Sequence, residues 1–263
     1  MSPLASPPTT ATPRLELKGV RKTFDGRMVL NGIDLAVAPG KSLVIIGGSG
    51  QGKSVTIKIA AGLMRPDAGK VFIDGKDVTR LRGAAQRRRA GQLGFLFQGA
   101  ALFDSLSVWQ NVAFRLVNAD RTPRDEARAA AVAALERVGL SKAVADQYPG
   151  ELSGGMQKRV GLARAVVAHP QIIFFDEPTT GLDPINADVI NNLIVEEVKR
   201  LGCTAVSITH DLVSARKIGD EIAMLHNGRI VWRGAAAEMD HSGNAYVEQF
   251  VSGRADGPIT AGG

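Results

Sequence analysis

Residues 42–62 read SLVIIGGSGQGKSVTIKIAAG, and this stretch decides the fold. Ser42–Gly47 is a short unbroken apolar run, the pattern of a strand buried on both faces of a parallel sheet. Lys53–Leu63 reads as a helix. Between them Gly47, Gly48, Ser49, Gly50, Gln51, Gly52, Lys53 and Ser54 fit G-x-x-x-x-G-K-[ST], with Val55 continuing into the helix. The residue types suit one chemistry. Glycines let the backbone wrap an anion with its N–H groups pointing inward. The helix N-terminus adds a positive dipole end. Lys53 reaches the β- and γ-phosphates of a nucleoside triphosphate, and the Ser54 hydroxyl ligates Mg²⁺. A chain of this composition offers about 0.01 chance matches to the pattern, so an accidental Gly-rich turn is the weaker reading.

A second stretch completes the chemistry. Ile172-Ile173-Phe174-Phe175 reads as another buried strand, and Asp176 and Glu177 emerge at its carboxyl end. Open α/β sheets bind ligands at that edge. Asp176 would hold Mg²⁺ through water, and Glu177 would polarise an attacking water as general base. Adjacent acids after a strand are also common in plain loops. The phosphate loop in the same chain favours the catalytic reading.

Further strands are expected at Leu15–Val20, Met28–Val37, Lys70–Ile73, Leu93–Phe97 and Cys203–Ile208, with a β-hairpin around His226-Asn227-Gly228. Helical pattern fills Ser107–Val138, Met156–Ala168, Ile185–Arg200 and Asn244–Ser252. Such alternation predicts an α/β fold on a mostly parallel sheet. The helical stretch between its strands predicts an inserted subdomain over about residues 103–165. Residues 1–13 carry four prolines and no apolar core of a secretory signal, and read as a disordered tail. The folded domain is expected over 14–252, and 253–263 form a small-residue tail.

Composition narrows the function classes. Of 263 residues, 44% are hydrophobic and 22% charged, a globular mix. Aromatics are only 5%, so Ala, Val, Ile and Leu must build the core. The longest apolar run, Ala129–Leu135, is far short of the roughly 20 residues a membrane-spanning helix needs. The single Cys203 excludes an internal disulfide framework, fits a reducing compartment and has no metal-ligand spacing. A net charge of +6 selects no partner. Arg80–Arg89 (RLRGAAQRRR) holds five arginines, but no aromatic is interleaved for base stacking. It reads as a solvated or membrane-facing edge, not a nucleic-acid site.

Leu152-Ser153-Gly154-Gly155-Met156, 24 residues before Asp176, resembles the LSGGQ signature of ATP-binding cassette (ABC) ATPases. The other motifs of that family follow in order. Gln98, after LGFLF, matches the Q-loop; Asp183, in Thr180-Gly181-Leu182-Asp183, the D-loop; His210, after AVSIT, the H-loop. Phe24 stands where the family stacks an aromatic on adenine. The resemblance covers about Leu15 to Phe250. It implies a P-loop ATPase fold with a mostly parallel sheet core, an antiparallel β subdomain and an inserted helical subdomain. It also implies a homodimer that buries two ATP molecules. There Ser153, Gly154, Gly155 and Asp183 complete the site of the other copy, Gln98 joins Ser54 and Asp176 at Mg²⁺, and His210 contacts the γ-phosphate and holds Glu177. Met156 departs from the commoner Gln and cannot offer its hydrogen bonds.

Lys53 and Asp176 are 123 residues apart without sustained heptads, unlike coiled-coil chromosome ATPases, and there is one cassette, unlike translation-factor relatives. A transporter subunit remains. Ala101, Leu102, Phe103 and Trp109, in QGAALFDSLSVWQNV (98–112), offer an apolar bed for a permease helix. That segment, LSGGM and the end FVSGRADGP (250–258) resemble the lipid-transport branch called Mla, for maintenance of lipid asymmetry, or toluene tolerance. This branch implies phospholipid movement between inner and outer membranes, from the cytoplasmic side of the inner membrane. Its implied partners are a permease of the MlaE type, an MCE-domain protein of the MlaD type and, in some systems, a STAS-domain subunit of the MlaB type. The alternative is the ATPase of an amino-acid or other small-solute importer.

Overall fold

The computed structural model describes residues 12–259. The elements run β1 (Leu15–Phe24), β2 (Arg27–Val37), β3 (Ser42–Ile46), α1 (Lys53–Ala60), β4 (Ala68–Ile73), β5 (Lys76–Asp77), α2 (Gly83–Ala90), β6 (Leu93–Leu96), α3 (Val108–Val112), α4 (Phe114–Asn118) and α5 (Arg124–Arg137). They continue with α6 (Gly154–Val166), β7 (Ile172–Asp176), α7 (Pro184–Leu201), β8 (Thr204–Ile208), α8 (Leu212–Ile218), β9 (Glu221–His226), β10 (Arg229–Ala235) and α9 (Ala245–Ser252). Two compact units result, one from the chain up to Gly83 with Val206 onward, the other from Ala84–Ala205.

In the first unit, an antiparallel sheet has the order β2-β1-β4-β5. Beside it, β3 pairs in parallel with β9, and β9 pairs antiparallel with β10. The Thr209 N–H, just after β8, donates to Ile45 O of β3. The β9–β10 turn is Asn227-Gly228, both in the left-handed region at φ 46° and 69°, the geometry of a two-residue hairpin. Arg233 Nη2 ties β10 to Ala36 O of β2 at 2.6 Å. The β3 run Leu43, Val44, Ile45 and Ile46 is at most 1% exposed, as its unbroken apolar sequence requires.

In the second unit, β6 and β7 pair in parallel, and the Thr204 N–H that opens β8 donates to Gln171 O at the edge of β7. All five residues of β7 are buried. Helix α6 lies against β6 so closely that a Cβ on Gly94 would meet Ala165 O at 2.3 Å, and one on Gly161 would meet Leu96 Cδ1 at 2.7 Å. The helical stretch expected over 107–138 breaks into three pieces. Pro123, which cannot continue a helix, stands just before α5. The basic run does not stay a uniformly solvated edge. Residues 83–90 coil into α2, which turns Arg89 inward to 7% exposure and lowers its guanidinium pKa to about 10 by burial. Among the described residues no helix is long and apolar enough to cross a membrane.

Candidate functional site

The phosphate loop, Gly47–Ser54, joins β3 to α1 in the first unit. Its glycines are there for geometry. Gly47 sits at φ 146°, where a Cβ would lie 2.3 Å from Leu225 O; Gly52 sits at φ 98°, where a Cβ would lie 2.7 Å from Leu30 Cδ2. Either added methyl collides with the cradle wall. Gly52 is the N-cap of α1 and offers no side-chain acceptor to the first turn, and a helix start of this kind is where anions bind. Lys53 is 7% exposed and curls into the loop, donating to Gly47 O (2.8 Å) and Gly48 O (2.9 Å). Gln51 Oε1 accepts from Asn227 N at 2.6 Å, pinning the loop to the β9–β10 turn. These features fit a triphosphate. His210 follows β8, whose neighbour is the strand that feeds the loop, so the first unit brings His210 to the same sheet edge as Gly47–Ser54. Asp211 caps α8 through Val213 N (3.0 Å) and Ser214 N (3.2 Å), which fixes the backbone next to His210. Phe24 ends β1 with 39% exposure and Lys22 Nζ 5.3 Å from its ring centroid, so it is a surface aromatic, not a core one.

The second unit carries the carboxylates. Asp176 ends β7 and is 7% exposed. Glu177 follows at φ 49°, a left-handed conformation for a residue with a side chain. Thr180 Oγ1 donates to Glu177 Oε2 at 2.6 Å. Asp183 caps α7 through Ile185 N and Asn186 N, both at 3.0 Å. The Asn186 side chain, foremost, holds the Asp183 carboxyl below its ordinary pKa. Ser153 caps α6, accepting from Met156 N at 3.3 Å. Ser153 and Gly154 are exposed. The Gln98 side chain is exposed too, while its backbone carbonyl accepts from Lys158 Nζ.

Three contributors escaped the motif reading: Thr180, Lys158 and Arg164. Lys158 had a signal. It shares a helix face with Gly161, Leu162 and Ala165, all buried, so a charge stands at a core position of α6. The expected apolar bed is only partly exposed. Phe103 is 46% exposed and its ring is tilted against Phe114 with centroids 4.7 Å apart. Trp109 is 7% exposed, with the Arg124 guanidinium 5.3 Å from its ring, and forms the floor of a groove of about 210 Å³ lined also by Leu106, Phe114 and Val117. Among the described residues no group of three or more His, Cys, Asp or Glu could hold a metal ion alone. Mg²⁺ keeps several waters and uses one or two protein oxygens beside substrate phosphates, and the Asp176 carboxylate at the end of β7 is a donor of that kind.

Residues 30–180 match the model of a family described as ABC transporter. The chain is 40% identical over 250 residues to the methionine import ATP-binding protein MetN of Caulobacter vibrioides, covering 94% of this chain and 74% of that one. It is 35% identical over 245 residues to the intermembrane phospholipid transport system ATP-binding protein MlaF of Haemophilus influenzae, covering 93% and 92%. A dimeric ATP-binding cassette in a post-hydrolysis state, bound to ADP and Pi, superposes with a TM-score of 0.78 at 32% identity, covering 84% of this chain and 98% of that one.

Proposed function

The chain belongs to the ABC transporter family and is its ATP-hydrolysing, ATP-binding subunit; from that premise we propose that it energises phospholipid transport between two membranes through a partner permease. The observation that carries the lipid reading is the similarity to the phospholipid transport subunit along nearly the whole of both chains. A second reading, import of a small solute such as methionine, is supported by the 40% identity to a methionine import subunit. Pull-down of the full chain from native membranes separates them. A polytopic permease with an MCE-domain protein is expected, with or without a STAS-domain subunit. A solute-binding protein in their place would replace the lipid reading and leave the ATPase untouched.

In the proposed mechanism, Lys53 and the first-turn N–H groups of α1 bind the β- and γ-phosphates, and Phe24 stacks on the adenine. Ser54, Asp176 and Gln98 would hold Mg²⁺, which when bound neutralises phosphate charge. Glu177 takes the proton of the attacking water, oriented by Thr180. His210 contacts the γ-phosphate. Ser153 and Gly154, open to solvent at the start of α6, and the half-buried Gly155 bind the nucleotide held by a second copy of the chain, and Asp183 lies at the same contact. The two-fold arrangement makes that interface isologous. Hydrolysis opens it, and the exposed Phe103 and Phe114 transmit the opening to a permease helix on the cytoplasmic side of the membrane, where the subunit binds peripherally.

A further inference from the structure

Helix α6 begins at the signature residues and runs beneath two segments that bear on the reaction. Two of its cations reach up to them. Arg164 donates from Nη1 to Ala101 O at 2.7 Å and from Nη2 to Ala100 O. Lys158, 6% exposed, donates from Nζ to Gln98 O and to Glu177 O at 3.5 Å. Three of the four carbonyls they hold belong to strained backbone. Ala100 and Ala101 are consecutive left-handed residues at φ 58° and 47°, and Glu177 sits at 49°. Non-glycine residues keep such angles only when their surroundings over-determine them. The packing of α6 on β6 leaves little slack, because a Cβ at Gly161 would meet Leu96 Cδ1 at 2.7 Å and Ala100 Cβ at 3.2 Å.

We propose that Lys158 and Arg164 are positioning residues that fasten the Gln98–Ala101 loop to the signature helix, and that Lys158 alone extends this fastening to Glu177. The inference rests on the reading of Glu177 as general base. Displacement of Ser153 at one end of α6 then reaches Gln98 and Glu177 together through one ammonium group, just beyond the paired ends of β6 and β7. The chemistry of Lys158 fits the task. Its side chain is almost wholly buried, and its Nζ is held by two backbone carbonyls where an apolar side chain would leave them without this donor. An ammonium offers three donors, enough for both carbonyls. Met at this position would keep the stem and lose every donor.

The test uses the full chain and the variants Lys158→Met, Lys158→Arg, Arg164→Met and Glu177→Gln. For Lys158→Met we expect kcat to fall roughly 10–100-fold with KM for ATP within about twofold, because misplacement costs rate and not binding. Lys158→Arg should recover part of it. Amide exchange supplies a readout apart from activity. Lys158→Met should speed exchange at residues 97–101 and 177–181, and Arg164→Met only at 97–101, each by about tenfold. Exchange raised throughout the second unit by Lys158→Met would mean a purely structural lysine and overturn the proposal. So would unchanged kcat and exchange. If Lys158→Met does not fold, Lys158→Gln replaces it, with the same expected and overturning results. Full activity of Glu177→Gln would fail the general-base reading, whereas an inactive Glu177→Gln beside a fully active Lys158→Met would fail this proposal alone.

Discussion

Thr180 donates its hydroxyl to Glu177 Oε2 at 2.6 Å. The two residues are one turn of chain apart, and the Thr180 N–H also reaches Glu177 O at 3.3 Å. The carboxylate is therefore aimed before any substrate arrives. Glu177→Gln keeps the shape and loses the base, so turnover should fall by at least about 10² while nucleotide binding persists. The variant should accumulate as an ATP-bound dimer on gel filtration. Thr180→Val keeps the base and loses its orientation, and should cost about tenfold in kcat. Wild-type turnover in Glu177→Gln would remove Glu177 from the mechanism.

Lys53 donates to Gly47 O and Gly48 O, and in the proposed mechanism it neutralises phosphate charge. Lys53→Ala should weaken ATP binding itself, unlike Glu177→Gln, and calorimetry distinguishes the two. Gly52→Ala should do the same by another route, since its Cβ would press on Leu30 at 2.7 Å and reshape the cradle. Equal ATP affinity in Lys53→Ala and wild type would contradict the assignment.

The phosphate loop and the strand before Asp176 were legible because each joins a fixed residue spacing to an unbroken apolar run. SLVII and IIFFD are buried throughout or nearly so, as the sequence demands. The Asn227-Gly228 hairpin was legible for the same local reason. Trp109 and Arg89 were not. Their burial depends on which face of a short helix meets the rest of the unit, a tertiary fact that no window of α2 or α3 contains. Lys158 was hidden differently: its partners are backbone carbonyls 60 and 19 residues away, which carry no residue type to recognise.

Asp183 gives a pH signature. The Asn186 side chain and backbone lower its folded-state pKa, so its stabilisation is complete above the unfolded value of about 3.9 and is lost as pH falls through the folded value. Asp183→Ala should lower Tm at pH 7, and the gap to wild type should close on acidification below about pH 4. Asp183→Asn, itself a good N-cap, should stay closer to wild type at pH 7. A gap that persists unchanged at pH 2.5 would assign the effect to something other than the charge.

Cys203 is 3% exposed, and burial raises its thiol pKa to about 11. The thiolate is the reactive form, and at pH 8 only about 0.1% of it is present. A disulfide reagent should therefore find no thiol in the folded chain and one after denaturation. Rapid labelling of the native chain would show that β8 opens far more readily than its buried, strand-paired position implies.

The groove proposed to dock the permease yields the most discriminating substitution. Phe103 is 46% exposed and leans on Phe114, whereas Trp109 beneath them is buried. A helix laid on this bed would bury Phe103, and an aspartate there would leave an unpaired carboxylate at a cost of several kcal/mol. Phe103→Asp should therefore abolish capture of the permease while Tm and ATP binding of the isolated chain change little. Trp109→Asp is the contrast. It places the same charge in the core and should unfold the second unit before docking is ever tested. A folded Phe103→Asp chain that still captures the permease would move the docking surface elsewhere. Loss of capture with a wild-type melting curve would assign it to this groove, and would do so whether the cargo is phospholipid or a small solute, because the proposed contact is with the permease and not with what it carries.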